Sequence, residues 1–80
     1  MSYYKAHYSV LKKSSKYSIY FAHFNNIPYE DFNFECKKES DDIMNFYLTC
    51  ENIDIFNNGL RWIEYNLGIE PFKTEWIETK

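Results

Sequence analysis

The sequence predicts an α+β fold. We expect an antiparallel β-sheet of four strands, or five if the chain pairs again after the helix, with one α-helix packed on one face, in the order ββββα(β). Several short segments alternate between apolar and polar residues, the period of half-buried strands. Residues 54–67 instead place apolar side chains at helical spacing. This stripe consists of Phe56, Leu60, Ile63 and Leu67.

The aromatic content explains how such a short chain can build a core. The sequence has 80 residues, of which seven are Phe, eight Tyr and two Trp. Each ring can bury roughly 150–250 Å². We therefore expect a single domain over residues 1–80, although chains of this size are only marginally stable in general.

Residues 3–11 are the first predicted strand, with Tyr4, Ala6, Tyr8 and Val10 on one face. After a polar turn, residues 17–24 are rich in aromatic and β-branched side chains and predict a second strand. The two strands would form an antiparallel hairpin. Its register depends on the parity of the loop, because a slip of one residue exchanges the two faces.

An even loop places one set of side chains from the second strand on the core face and leaves Tyr20 outside. An odd loop reverses the faces. The larger apolar surface favours the even loop. The even set is Tyr17, Ile19, Phe21 and His23, and the odd set is Ser18, Tyr20, Ala22 and Phe24.

A third and a fourth strand follow the break around Pro28. Phe32, Phe34 and Cys36 alternate with polar residues in the third. In the fourth, Met44, Phe46, Leu48 and Cys50 alternate with Asn45, Tyr47, Thr49 and Glu51. The alternative is a helix capped by Ser40, but the sustained alternation favours a strand.

A hairpin centred on Ser40 also bears on the two cysteines. It pairs Phe34 with Phe46, which leaves Cys36 and Cys50 about six residues, or roughly 20 Å, out of step. A disulfide cannot bridge that distance. We predict two free thiols.

The helix over residues 54–67 has end signals on both sides. Asn52 or Asp54 can cap its first amides, and Gly68 can adopt the left-handed conformation that ends a helix. Beyond it, Phe72, Thr74 and Trp76 alternate with charged residues. This pattern predicts either a fifth strand, confined to an edge by Pro71, or an extended tail anchored by Phe72 and Trp76.

Charge and hydropathy indicate a cytoplasmic protein. No segment approaches the ~18 apolar residues of a membrane span, and the N-terminus lacks a secretory core. Two cysteines fit a reducing compartment. Residues 1–29 hold four lysines and no carboxylate, whereas residues 30–80 hold all twelve carboxylates and five basic residues. This asymmetry can guide association with a charged partner.

The motifs do not predict an enzyme, a metal site or a cofactor. His7, His23, Cys36 and Cys50 are zinc-ligand types, but every gap between them exceeds ten residues, unlike the close pairs of zinc modules. There is no nucleophile motif or Gly-rich phosphate loop. A pair of Cys36 and His23 could act as thiolate and base, but Cys36 is predicted to face the core, where thiols are inert.

Surface chemistry favours recognition of another protein. Tyr65 falls opposite the apolar stripe of the helix, close to Arg61, and Tyr with Arg is typical of interface hot spots. We predict a small non-catalytic protein-interaction module, which could also form a homodimer. The predicted partner-binding residues are Tyr20, Glu39, Asp41, Asp42, Tyr47, Glu51, Asp54, Arg61 and Tyr65.

The alternative hypothesis is a small protein that binds single-stranded nucleic acid through the Lys/Tyr-rich face of the hairpin. Aromatic side chains beside lysines on a sheet can stack unpaired bases. The net charge of −3 and the absence of arginine from residues 1–29 count against it. The lysines are Lys5, Lys12, Lys13 and Lys16, near Tyr3, Tyr8, Tyr17 and Tyr20.

In its small size, its richness in Asn, Lys, Ile, Tyr and Phe, and its lack of a catalytic motif, the chain resembles small accessory proteins of bacteriophages and mobile elements, including anti-CRISPR inhibitors of host defence. The resemblance implies a stoichiometric inhibitor that binds a host protein, such as a nucleic-acid-binding effector, and blocks its site. The carboxylates that would meet basic residues there are Glu39, Asp41, Asp42, Glu51 and Asp54.

Overall fold

The computed structural model describes residues 2–78, which form a four-stranded antiparallel sheet and two helices. The strands lie in the order β2-β3-β1-β4, so β1 and β2 run parallel with β3 between them. This βαββαβ chain order is the split βαβ, or ferredoxin-like, arrangement. The elements are β1 (Ser2–Leu11), α1 (Tyr17–Asn25), β2 (Asn33–Lys38), β3 (Ile43–Cys50), α2 (Ile53–Leu67) and β4 (Lys73–Glu78).

The first strand is confirmed and lies inside the sheet. β1 pairs with β3 along one edge and with β4 along the other. Its predicted core face is correct, because Ala6, Tyr8 and Val10 are buried. The intervening side chains, including Lys5 and His7, lie on the opposite face of the sheet.

The second predicted strand is wrong, because residues 17–24 lie in α1. Neither hairpin register exists, and residues 2–78 contain two helices rather than one. The composition of this segment favours a strand, yet Tyr17, Tyr20, Phe21 and Phe24 also recur at i, i+3, i+4 and i+7. A helix can direct all four rings to one side, whereas a strand would divide them between two faces.

The third and fourth strands are confirmed as β2 and β3, with a register two residues away from the predicted one. Phe34 lies opposite Leu48, and Cys36 lies opposite Phe46. The Ser40 hydroxyl accepts hydrogen bonds from the backbone N–H groups of Asp42 and Ile43 within the turn. Both cysteines are free thiols, and along the ladder they are four residues, roughly 13 Å, out of step.

The second helix begins and ends as its end signals predict. Asn52 Oδ1 accepts hydrogen bonds from the N–H groups of Asp54 and Ile55, at 2.9 and 3.1 Å. Gly68 ends α2 with a φ of 67°. Phe56 and Ile63 are buried, and the other two stripe residues pack at the margin of the core. After α2, the chain forms β4 at the edge of the sheet, which confirms the strand rather than the anchored tail.

Both helices pack on the same face of the sheet. Phe46 lies at the centre of an aromatic cluster, with its ring centroid 5.0 Å from that of Phe24 and 5.3 Å from that of Phe34. Within residues 2–78 no helix covers the opposite face, which we call the uncovered face. The buried core consists of Ala6, Tyr8, Val10, Phe24, Phe46, Leu48, Cys50, Phe56 and Ile63.

Candidate functional site

A shallow apolar groove of about 300 Å³ lies between α2 and β4. We call it the α2/β4 groove. It forms because Tyr4 and Trp76 face each other in the ladder between β1 and β4, and α2 crosses above them. The residues that line it are Tyr4, Ile53, Phe56, Asn57, Leu60, Thr74, Glu75 and Trp76.

The floor of the α2/β4 groove belongs to the core, and its walls are exposed. The Tyr4 ring lies 5.5 Å from Phe56, which is buried, and 4.4 Å from Trp76. Trp76 is 49% exposed and Ile53 is 41% exposed. Tryptophan in an apolar cleft is the residue type most enriched at binding hot spots.

The outer edge of β4 borders the groove. β4 pairs with β1 on one side, and in the described part of the chain no strand pairs with its other side. Backbone N–H and C=O groups on such an edge can pair with an added strand. Lys73 and Glu75 form an ion pair of 3.0 Å on β4, and charges of this kind hinder indiscriminate edge-to-edge pairing.

One residue predicted from the sequence, Arg61, lies in a cleft beside the groove, and two others lie elsewhere on α2. Asn57 and Leu60 line both the groove and a neighbouring cleft of about 440 Å³ that contains Arg61. Tyr65 lies one turn further along α2 and is 90% exposed. Asp54 lies exposed in the first turn of the same helix.

The predicted acidic residues do not form one surface. Glu39, Asp41 and Asp42 lie in the turn between β2 and β3, whereas Glu51 follows β3 at its far end, roughly 25 Å away. Lysines neutralise part of the turn: Lys13 Nζ lies 3.0 Å from Asp42, and Lys38 Nζ lies 3.1 Å from Asp41. These pairs are exposed and contribute little stability. The turn is therefore a mixed-charge surface.

The two predicted surface tyrosines separate. Tyr47 lies on the uncovered face, as predicted, next to His7 on β1. The predicted position of Tyr20 is wrong: it lies on α1 and packs against the core on the covered side, not on the opposite face.

The Lys/Tyr-rich hairpin face of the alternative hypothesis does not exist. Tyr8 is buried, and Tyr17 and Tyr20 belong to α1 on the covered side. Of the four lysines, Lys5 lies on the uncovered face. The other three, Lys12, Lys13 and Lys16, lie between β1 and α1.

The titratable groups do not converge on a catalytic or metal-binding arrangement. His7 lies on the uncovered face, whereas Cys36 and Cys50 belong to the covered one. His23 Nδ1 lies 2.9 Å from the carbonyl oxygen of Ile19 on its own helix. Burial raises the pKa of both thiols, which disfavours the nucleophilic thiolate. Across residues 2–78, no three His, Cys, Asp or Glu side chains are grouped to hold a metal ion.

The sequence does not point to the groove residues as a set. Trp76 is recognisable as an apolar residue on an edge strand, but its neighbours Tyr4 and Ile53 come from distant parts of the chain. The pairing of β1 with β4 brings Tyr4 next to Trp76, and α2, which crosses above them, adds Ile53. An exposed Trp on a predicted edge strand is the signal that points to this surface.

In residues 2–78, no helix has both the length and the apolar character needed to cross a membrane. Comparisons with protein-family models, with curated proteins and with solved structures gave no match. The fold and the surface chemistry described above are therefore the basis for the functional inference.

Proposed function

We propose that the protein is a non-catalytic protein-interaction module that binds an extended segment of a partner protein along β4 and in the α2/β4 groove. The observation that carries this proposal is the position of the groove directly beside the free edge of β4. A segment that pairs with an edge strand gains main-chain hydrogen bonds, and its alternate side chains enter adjoining pockets.

The composition of the surface supports the same proposal. Trp76 and Ile53 provide an exposed apolar centre. Arg61 lines the neighbouring cleft, and Tyr65 lies exposed one turn further along α2. Trp, Tyr and Arg supply most interface hot spots, since they combine large contact areas with hydrogen-bonding groups. The buried ring of Phe56 gives the groove a fixed floor.

The finer form of the proposal is a stoichiometric inhibitor of a host defence protein. Its support is the resemblance to small accessory proteins of bacteriophages and mobile elements, including anti-CRISPR proteins. On this proposal the partner is a cytoplasmic host protein, such as a nucleic-acid-binding effector, and the inhibitor blocks its nucleic-acid or partner site.

Site-specific photo-crosslinking tests the proposed surface. A photoreactive amino acid at position 74, in the groove, is exposed to a nuclease-treated lysate of the native host, and the linked peptide is identified by mass spectrometry. The matched control carries the same amino acid at position 19 on α1, where Ile19 is 52% exposed. We expect one extended partner peptide to be linked from position 74 and not from position 19.

Affinity measurements with the purified partner complete the test. Trp76→Ser and Ile53→Ser should each raise the Kd by about tenfold or more, which is the effect expected when a hot-spot residue is truncated. Ile19→Ser should leave the Kd unchanged. Wild-type affinity in both groove variants would reject the groove as the binding site. A cross-link between two copies of this chain would show that the groove binds a second copy and would contradict the proposal of a host partner.

A further inference from the structure

A row of aromatic side chains lies across the uncovered face of the sheet. His7 on β1 and Tyr47 on β3 are directly paired in the ladder, and their rings stack at a centroid distance of 4.8 Å. The ring of Phe72, just before β4, meets His7 edge-on at 5.5 Å. Phe72 is 76% exposed. We call these three residues the aromatic row.

Lysines from three strands surround the aromatic row. Lys5 Nζ lies 4.5 Å from the centroid of the Tyr47 ring, and Lys37 Nζ lies 5.9 Å from it. Lys73 faces His7 across the ladder. A lysine over the face of a Tyr ring is attracted by the ring quadrupole, which keeps positive charge close to the aromatic surface.

The carboxylates restrict where an anionic chain can lie. Glu35 and Glu75 each lie beside a lysine, Lys37 at 3.7 Å and Lys73 at 3.0 Å. More carboxylates, Asp31 and Glu51, line a cleft with Glu35 at one corner of the face. Phosphates are therefore repelled from that corner. Away from it, a small cavity is lined by Lys5, His7, Tyr47, Lys73 and Glu75. Glu75 is the single carboxylate in this lining, and its charge is offset by Lys73, while Lys5 lies opposite it in the ladder.

We propose that the uncovered face binds a short stretch of single-stranded nucleic acid. One or two unpaired bases stack on the aromatic row, and the adjoining phosphates lie near Lys5, Lys37 and Lys73. A base offers a flat surface to an aromatic ring whatever its identity, so this binding tolerates many sequences. The proposal is independent of the α2/β4 groove, which lies on the other side of the sheet.

Fluorescence anisotropy with a labelled oligothymidine and a labelled oligouridine tests this site at low salt. Tyr47→Ala and Phe72→Ala should each weaken binding, on the order of tenfold, because each removes a stacking surface. Tyr47→Phe keeps the ring and should retain the affinity. Ile19→Ala removes an exposed apolar side chain from α1, on the covered side, and is the control that should leave the oligonucleotide affinity unchanged. A thermal melt of each variant identifies those that fold.

The salt dependence provides a second, independent readout. Lys5→Gln and Lys73→Gln should each reduce the slope of log affinity against log salt concentration by about 0.7, since each removes one phosphate contact. Lys16→Gln, in the loop before α1, is the matched control. The two oligonucleotides distinguish DNA from RNA, and preference for either supports the site.

Four results would overturn the proposal. The first is an absence of binding at low salt by the wild-type protein. The second is wild-type affinity in folded Tyr47→Ala and Phe72→Ala. The third is an effect of Lys16→Gln as large as that of Lys5→Gln. The fourth is equal affinity for a duplex of the same length, because paired bases expose no face for stacking.

Discussion

The ring of Phe32 lies directly against the backbone of Gly59 in the middle of α2. A Cβ built at residue 59 would lie 2.7 Å from Phe32 Cε2. Glycine in a helix interior costs about 1 kcal/mol relative to alanine, so a close approach explains its presence here. This contact packs the segment before β2 against α2. The Phe32 ring also stacks on the ring of Phe56, with 6.4 Å between the ring centroids.

Gly59→Ala should therefore destabilise the protein by about 1–3 kcal/mol, as overpacking does, although alanine favours helices. In a Phe32→Ala background the same change should instead stabilise by up to about 1 kcal/mol, because only the helix propensity remains. Urea denaturation of the four proteins measures both values. The same destabilisation in both backgrounds would contradict the role assigned to Phe32.

Gly68→Ala tests a different property of glycine. An added Cβ at this position meets no atom within 4 Å, but the φ of 67° disfavours any side chain. We expect a loss of about 1 kcal/mol from the left-handed conformation alone. Gly68→Asn is the matched control and should cost less, since Asn adopts this conformation more readily. An equal loss in both variants would argue against a purely conformational cause.

The hydroxyl of Tyr8 is buried, and no group in residues 2–78 forms a hydrogen bond with it. An unsatisfied buried polar group destabilises the folded state. Tyr8→Phe should therefore leave the free energy of unfolding unchanged or raise it by about 1 kcal/mol. Tyr8→Leu, which also removes the ring that packs on Phe24, should destabilise the protein. A clear loss of stability in Tyr8→Phe would show that the hydroxyl has a partner.

Stability should decrease at alkaline pH. Burial, with a smaller contribution from the Glu64 carboxylate, raises the pKa of Tyr8 above its ordinary value of 10.0. The folded state then keeps a proton that the unfolded state loses, so this contribution is complete below about pH 10 and decreases above it, by up to about 1.4 kcal/mol per pH unit.

Burial also raises the pKa of Cys50 above 9.0, which should begin the decrease at lower pH. Urea denaturation across this pH range measures the effect. Tyr8→Phe should flatten the decrease above pH 10, and Cys50→Ala should flatten its beginning. A stability profile unchanged by either substitution would contradict this assignment.

The strands and α2 could be predicted because one period fits each segment better than the other, although β3 and β4 each had an alternative. In β1, a helix would scatter Ala6, Tyr8 and Val10 around its surface, whereas a strand places them on one face. In α1, both periods fit, because the segment is apolar at nearly every position. The predicted register of β2 with β3 was wrong by two residues, because the register depends on the geometry of the turn around Ser40.

The candidate sites divide in the same way. Arg61 and Tyr65 could be predicted as exposed because the stripe of α2 defines its outer face. The α2/β4 groove could not, because Tyr4 and Trp76 are separated by most of the chain and meet only when β4 pairs with β1. The stacking of His7 on Tyr47 likewise depends on the register between two strands that are distant in sequence.

The sequence by itself determined α2 and the alternating faces of the strands. These depend on local interactions: the apolar spacing, the Asn52 cap and the left-handed Gly68 all act within a few residues. Only the tertiary structure decided that residues 17–24 form a helix. The sheet offers one apolar face centred on Phe46, and a helix lets Tyr17, Phe21 and Phe24 reach that ring together.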